Sequence, residues 1–214
     1  MNDVDEVVAQ PDESEIEIRP WWQSKLNLGA LAVAIAVLCG ALGWVVGNNR
    51  AIPDPNPVDI GFLQDMRTHH EQAVNLGLFY LSLQDTNPDM RTIAREIVFG
   101  QSIEIGRMIE LLRIYGATEA NESDVAMTWM NEPTPNDRMP GLASDADIDK
   151  LLASRGNEAD TLFADLMIAH HQGGIHMAQY AQDHAHEIEV RRFANGMITG
   201  QTGEIDELRA LIAA

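Results

Sequence analysis

Two doubled histidines, His69-His70 and His170-His171, follow Met66 and Met167 by three and four residues. On a helix such spacings share one face, so each segment presents a thioether beside imidazole. His176 and Met177 follow the later pair, and five of the seven histidines lie between residues 170 and 186. Thioether and imidazole without thiolate suit copper, Cu(I) above all, better than calcium or magnesium. Gln101-x-x-Glu104 and Gln201-x-x-Glu204 add two carboxylates at helical spacing. Inward Glu and His from four helices are how metal centres are built in bundles. The candidate ligands are therefore Met66, His69, His70, Glu104, Met167, His170, His171, His176, Met177 and Glu204. Di-iron chemistry is disfavoured, because neither half contains Glu-x-x-His on one helix. Each group also has a purely structural use. Methionine fills cores, a His–Glu pair across a bundle fixes register, and His184 and His186 suit a solvated turn.

These residues need helices to bring them together, and the chain repeats itself to supply them. Phe62, Met66, His69 and His70 recur as Phe163, Met167, His170 and His171, offset by 101. Ala94, Gly100, Gln101, Glu104, Ile105 and Leu111 recur as Ala194, Gly200, Gln201, Glu204, Ile205 and Leu211, offset by 100. Such self-similarity marks a duplicated unit. Asn56-Pro57, Asn87-Pro88 and Ser144 through Asp147 read as helix starts, and Gly116 as a stop. Helices are predicted at about 57–84, 88–115, 157–184 and 187–212, with a short one at 145–154. Phe62, Met66, His69, Ala73, Leu76 and Tyr80 keep a 4-3-4-3-4 spacing, as do the core-type residues of the other three long helices. His69, Glu104, His170 and Glu204 are thus expected to point inward, with Gln101 and Gln201 a turn away. The soluble part, 59–214, is predicted to be a four-helix bundle of two helical hairpins, repeat 1 at 59–116 and repeat 2 at 157–214. The crossover, 117–156, is longer than bundle loops usually are.

Other chemistry lacks residues. The helical glycines (Gly100, Gly106, Gly173, Gly174, Gly196, Gly200 and Gly203) form no phosphate loop and read as close-approach positions. No Ser or Cys nucleophile stands in a recognisable motif, so a non-catalytic protein is expected. The chain carries 14 Lys+Arg against 33 Asp+Glu, a net charge of −19. That excludes non-specific nucleic-acid binding, which runs on basic residues. Residues 51–214 hold −15 of it, with 11 basic and 26 acidic side chains.

The first fifty residues read as an address. Residues 1–25 carry seven acids against Arg19 and Lys25 and are expected to be a disordered tail. Between Lys25 and Arg50 lie 24 uncharged residues, spanning about 36 Å at the helical rise, enough for a bilayer core. Trp21, Trp22 and Trp44 flank this run as interfacial aromatics do. The long acidic start and long apolar run favour an uncleaved anchor, 26–49, over a signal peptide. Arg19 and Lys25 outweigh Arg50, placing the tail in the cytoplasm and residues 51–214 outside. Residues 50–58 form a Pro-rich spacer. The single cysteine, Cys39, falls within the span, so a disulfide framework is excluded.

Phe-x-x-x-Met-x-x-His-His followed by Gln-x-x-Glu-Ile, present twice, closely resembles the domain of unknown function 305 family over about 59–214. The resemblance implies a ferritin-like bundle, secreted or membrane-anchored on the extracytoplasmic side of bacteria, with some members copper-binding through His and Met. Met139-Pro140-Gly141-Leu142 departs from the family's Met-Pro-Gly-Met and lacks one sulfur. Gly174 stands for the family's Ala, and Asn75 stands where the second half has His176. Two functions follow as expectations. One is a membrane-anchored extracytoplasmic metal-binding protein that buffers or carries copper. The other is a non-catalytic accessory or scaffold subunit of a membrane complex, with a structural His/Glu layer.

Overall fold

The computed structural model describes residues 20–48 and 53–213, which form two units. The acidic tail up to Arg19 and the start of the Pro-rich spacer lie outside the described residues. In the first unit, α1 (Lys25–Asn48) follows a short turn at Trp21–Gln23. It is long and apolar enough to cross a membrane, and none of its side chains over Lys25–Gly47 is buried.

The second unit is all-helical apart from one two-residue pairing, β1 (Val125–Ala126) against β2 (Thr134–Pro135). Its helices are α2 (Pro57–Ser82), α3 (Pro88–Ile114), α4 (Asp145–Ala153), α5 (Gly156–His184) and α6 (Ile188–Ile212). The starts of α2, α3 and α4 and the end of α3 are those the caps dictate. Asn56 accepts from Val58 N and Asp59 N in a capping box, with Pro57 at the first helical position. Ser144 and Asp147 form a second box at α4. Gly116, at φ 69°, closes α3, with Ala117 N bonded to Leu112 O and Gly116 N to Arg113 O. That pair of bonds is a Schellman motif, which satisfies carbonyls the helix end would leave bare.

Helices α2 and α3 form one hairpin and α5 and α6 the other; α2 packs on α5 and α3 on α6. Matching carboxylates lock the hairpins together. Asp59, fully buried, accepts from His186 N and Glu187 N in the α5–α6 turn. Its equivalent 101 residues on, Asp160, accepts from Asn87 N in the α2–α3 turn and from the Tyr80 hydroxyl. The start of each first helix is thereby fixed to the turn of the other hairpin, so α2 and α5 run antiparallel.

The apolar core divides in two. One cluster holds Phe62, Met66, Met108, Met177 and Met197 with Met127, Trp129, Met130 and Met139 of the crossover. The other holds Tyr80, Met90, Ile97, Phe163, Met167 and Leu208. Along every long helix the change from one cluster to the other falls at a polar layer: His69-His70, Gln101, His170-His171 and Gln201.

The crossover lies on the bundle and is anchored by Asp65. This carboxylate, 2% exposed, accepts from Met127 N, Trp129 Nε1 and Asn121 Nδ2. Further along, Gln72 exchanges two hydrogen bonds with the Ala143 backbone. Most helical glycines expected to permit close approach do not: a Cβ at Gly100, Gly106, Gly196, Gly200 or Gly203 would meet open space. Only Gly173 and Gly174 of that group are crowded, by Pro140 O and by the Gln201 side chain.

Candidate metal centre

The polar layer is built where four helices converge. His69, His70, His170 and His171 are all fully buried. The sequence stripe placed only the first histidine of each pair inward. Both fit because the first histidine of each pair lies at the α2–α5 contact, with Pro140 of the crossover bonded to His69, and the second faces the glutamate of its own hairpin's other helix. The two inner rings, His69 and His170, meet across the α2–α5 contact with centroids 3.8 Å apart and planes tilted by 35°. His69 Nε2 donates to Pro140 O at 3.0 Å, and His170 Nε2 donates to His69 O at 2.9 Å. A carbonyl accepts only from N–H, so both rings carry their proton on Nε2 and leave Nδ1 as a bare lone pair. Both remain neutral. Burial, with His70 nearby, lowers the His69 pKa to about 3. Burial, with His69 beside it, holds His170 well below the usual imidazole value.

The outer pair meets the carboxylates. His70 Nε2 donates to Glu104 Oε2 at 2.9 Å. His171 Nε2 stands 2.7 Å from Glu204 Oε2, close enough for an ion pair but out of line for a hydrogen bond. The expected His–Glu contacts thus exist, through the second histidine of each pair and not the first. Each glutamate side chain is 29% exposed, so the carboxylates lead from the buried layer to solvent.

The remaining candidates divide. Met66 and Met177 lie in one core cluster and Met167 in the other, on opposite sides of the layer. His176 is on the surface, its Nε2 donating to Glu132. His184 stacks on Tyr180, and His186 donates from Nδ1 to Asp54 O. Among the described residues, no three His, Cys, Asp or Glu side chains stand together in a ready-made metal site. The donor chemistry nevertheless fits a soft cation. Nδ1 of all four layer histidines is buried without a hydrogen-bond partner among the described residues. All nine described methionines are buried, in the two clusters on either side of the layer.

Sequence reasoning missed Asp59, Asp65, Gln72 and Asp160 as organisers. For Asp59 and Asp160 the signal was present, since they share the 101-residue offset of the histidines. Asp65 and Gln72 have no such mark, because Leu166 and Gly173 occupy the equivalent places.

Solved structures give the same fold. A DUF305 protein from Streptomyces coelicolor, described as secreted, is 34% identical, with a TM-score of 0.67, covering 73% of this chain and 92% of that one. A DUF305 fragment from Deinococcus radiodurans is 28% identical, with a TM-score of 0.65, covering 75% and 99%. CopM in its Cu(I)-bound form is 24% identical, with a TM-score of 0.53, covering 72% and 94%. No curated protein matches the chain. The family model "Domain of unknown function (DUF305)" matches residues 59–212, more than half the chain, and the protein belongs to that family.

Proposed function

We propose that this protein is a membrane-anchored, extracytoplasmic metal-binding protein that buffers or carries copper without catalysing a reaction. One observation carries the reading: four buried neutral-capable imidazoles have Nδ1 without a partner inside a methionine-lined core. A merely structural polar layer is expected to satisfy its buried atoms, since each one left bare costs about 1–3 kcal/mol. Imidazole and thioether together favour Cu(I). CopM, which shares the fold, has been solved with Cu(I), Cu(II) and silver bound, and this supports the choice of metal. Helix α1 supplies the anchor, with the acidic tail cytoplasmic.

The test is competition for Cu(I) between the purified full chain in detergent and a chromophoric chelator. Saturable binding is expected, weakened at least tenfold by Met66→Leu with His70→Gln, and weakened at acidic pH as ligands protonate. Unchanged affinity in that variant sinks the ligand assignment, and no competition at all sinks the copper reading. Protease digestion of sealed right-side-out vesicles checks the topology: residues 53–213 are expected to be cut.

A scaffold role is favoured by a different observation. His69 and His170 spend Nε2 on backbone carbonyls, binding helix to crossover and helix to helix. Gentle extraction and co-purification of a stoichiometric membrane partner, with no copper, would support that role.

A further inference from the structure

Between α3 and α6, on the opposite side of the layer from the α2–α5 contact, lies a cavity of about 60 Å³. Its lining comes in equivalent pairs: Gly100 with Gly200, Gln101 with Gln201, and Glu104 with Glu204, joined by Met197. The two glutamines are 3% and 4% exposed. Neither the oxygen nor the nitrogen of either amide has a partner among the described residues. Two buried amides with all four polar atoms bare represent a substantial unmet hydrogen-bonding demand. At the same cavity stand two carboxylates, Glu104 accepting from His70 Nε2 at 2.9 Å and Glu204 with His171 Nε2 2.7 Å away. That backing orients a carboxylate as an outer-shell partner orients a metal ligand. The glycines leave the way in open, because a Cβ at either would meet nothing within 4 Å.

We infer that the Gln101, Gln201, Glu104 and Glu204 cavity binds a divalent cation of oxygen preference. Two carboxylates neutralise a 2+ charge, and two amide oxygens bring the protein donors to four. The space admits waters to complete an octahedral set. The all-oxygen donor set assigns Glu104 and Glu204 to this cation and leaves the nitrogen and sulfur donors to copper, and the site stands whether or not copper binds. The net charge of −15 on residues 51–214 draws cations towards it.

Mn2+ alone is the probe. The full chain in detergent is titrated while free Mn2+ is followed by electron paramagnetic resonance. One saturable site per chain is expected. Affinity falls at least tenfold in Glu104→Gln with Glu204→Gln and several-fold in Gln101→Met with Gln201→Met. It stays unchanged in Glu119→Gln with Glu122→Gln, an exposed acidic pair. Absence of saturable binding overturns the site, and so does binding that the exposed pair moves as much as the cavity residues do. Should the double glutamate variant not fold, melting decides: at equal Mn2+ the Tm of the wild type rises more than that of Gln101→Met with Gln201→Met. An equal rise in both overturns the site. Loading with Cu(I) first leaves Mn2+ binding intact, and displacement of Mn2+ by Cu(I) overturns the separation of the two sites.

Discussion

The two hairpins share a sequence plan but face different neighbours. Each starts with an aspartate locked to the other's turn, and each carries a doubled histidine and Gln-x-x-Glu at matching depth. A single crossover must lie on this two-fold arrangement, and one strap cannot dock on both halves alike. Three residues that break the repeat are ones it touches. In α2, Gly61 makes room for the Trp129 ring, Asp65 receives Met127 N and Trp129 Nε1, and Gln72 holds Ala143. The equivalents in α5 are Leu162, Leu166 and Gly173. These buried departures from the internal repeat therefore mark where the one segment that has no copy docks on α2.

The sharpest break is at Gly173. An added Cβ would lie 1.8 Å from Pro140 O, and both groups belong to backbone held at other points. Gly141 is pressed from the other side, where its own Cβ would lie 2.2 Å from Ala169 O. Gly173→Ala is expected to cost about 3 kcal/mol or more, beyond the usual overpacking range. Denaturant titration checks it; a loss under about 1 kcal/mol would mean that the crossover lifts freely. In the first half the same place is filled by Gln72, where a side chain helps.

Next in size is Asp65. Asp65→Ala strands the Met127 amide and the Trp129 indole N–H, each at about 1–3 kcal/mol. The equivalent change Leu166→Ala, at a partly exposed leucine, is expected to cost less. A reversed order would show that the crossover contributes little to stability.

The comparison also shows what was legible before any coordinates. Helix ends were readable, because Asn56, Asn87, Ser144 and Gly116 satisfy end groups locally and depend little on tertiary context. The hairpins were readable from the offsets. The partner of each glutamate was not. Adjacent histidines lie only about 100° apart on a helix, and a stripe drawn with one residue per turn cannot tell which of them is covered. The rotation of α2 against α3 and of α5 against α6 decides that, and the path of the crossover over His69 was equally hidden, because a segment rich in Pro, Asn and Asp shows no period. The role of Asp59 was not visible: it completes the capping box with Asn56, and its longer-range bonds run to His186 and Glu187.

The inner histidines are a place where the halves are expected to agree. Both are neutral and buried, with pKa values below the ordinary 6.5. Above pH 6.5 neither folded nor unfolded chain binds the proton, so pH changes nothing there. Below it the unfolded chain takes up protons that the folded chain refuses until about pH 3 for His69. Stability is therefore expected to fall with acidification by about 1.4 kcal/mol per pH unit for each histidine. Urea midpoints at pH 6.5 and 5.5 measure the onset of that slope, about 1 kcal/mol per histidine over the first unit. His69→Gln should remove about half of it, and an unchanged slope would place the acid sensitivity elsewhere.

The smallest expected effect makes the second half more like the first. Gly174 corresponds to Ala73, which is already fully buried in α2. A Cβ at Gly174 would lie 2.5 Å from Gln201 Oε1 and 3.2 Å from its Nε2. Unlike the Pro140 carbonyl, these atoms are the far end of a flexible side chain, and no hydrogen bond among the described residues holds them. Gln201 can turn towards the cavity at modest cost, and removing a helical glycine returns about 0.5–1 kcal/mol. Gly174→Ala is thus expected to change stability by less than about 1 kcal/mol, against the large loss one residue earlier. Its effect should appear instead in Mn2+ affinity, because the displaced amide enters the space the cation needs. Equal destabilisation by Gly173→Ala and Gly174→Ala would show that Gln201 is held as firmly as backbone, which leaves no free amide to serve a cation.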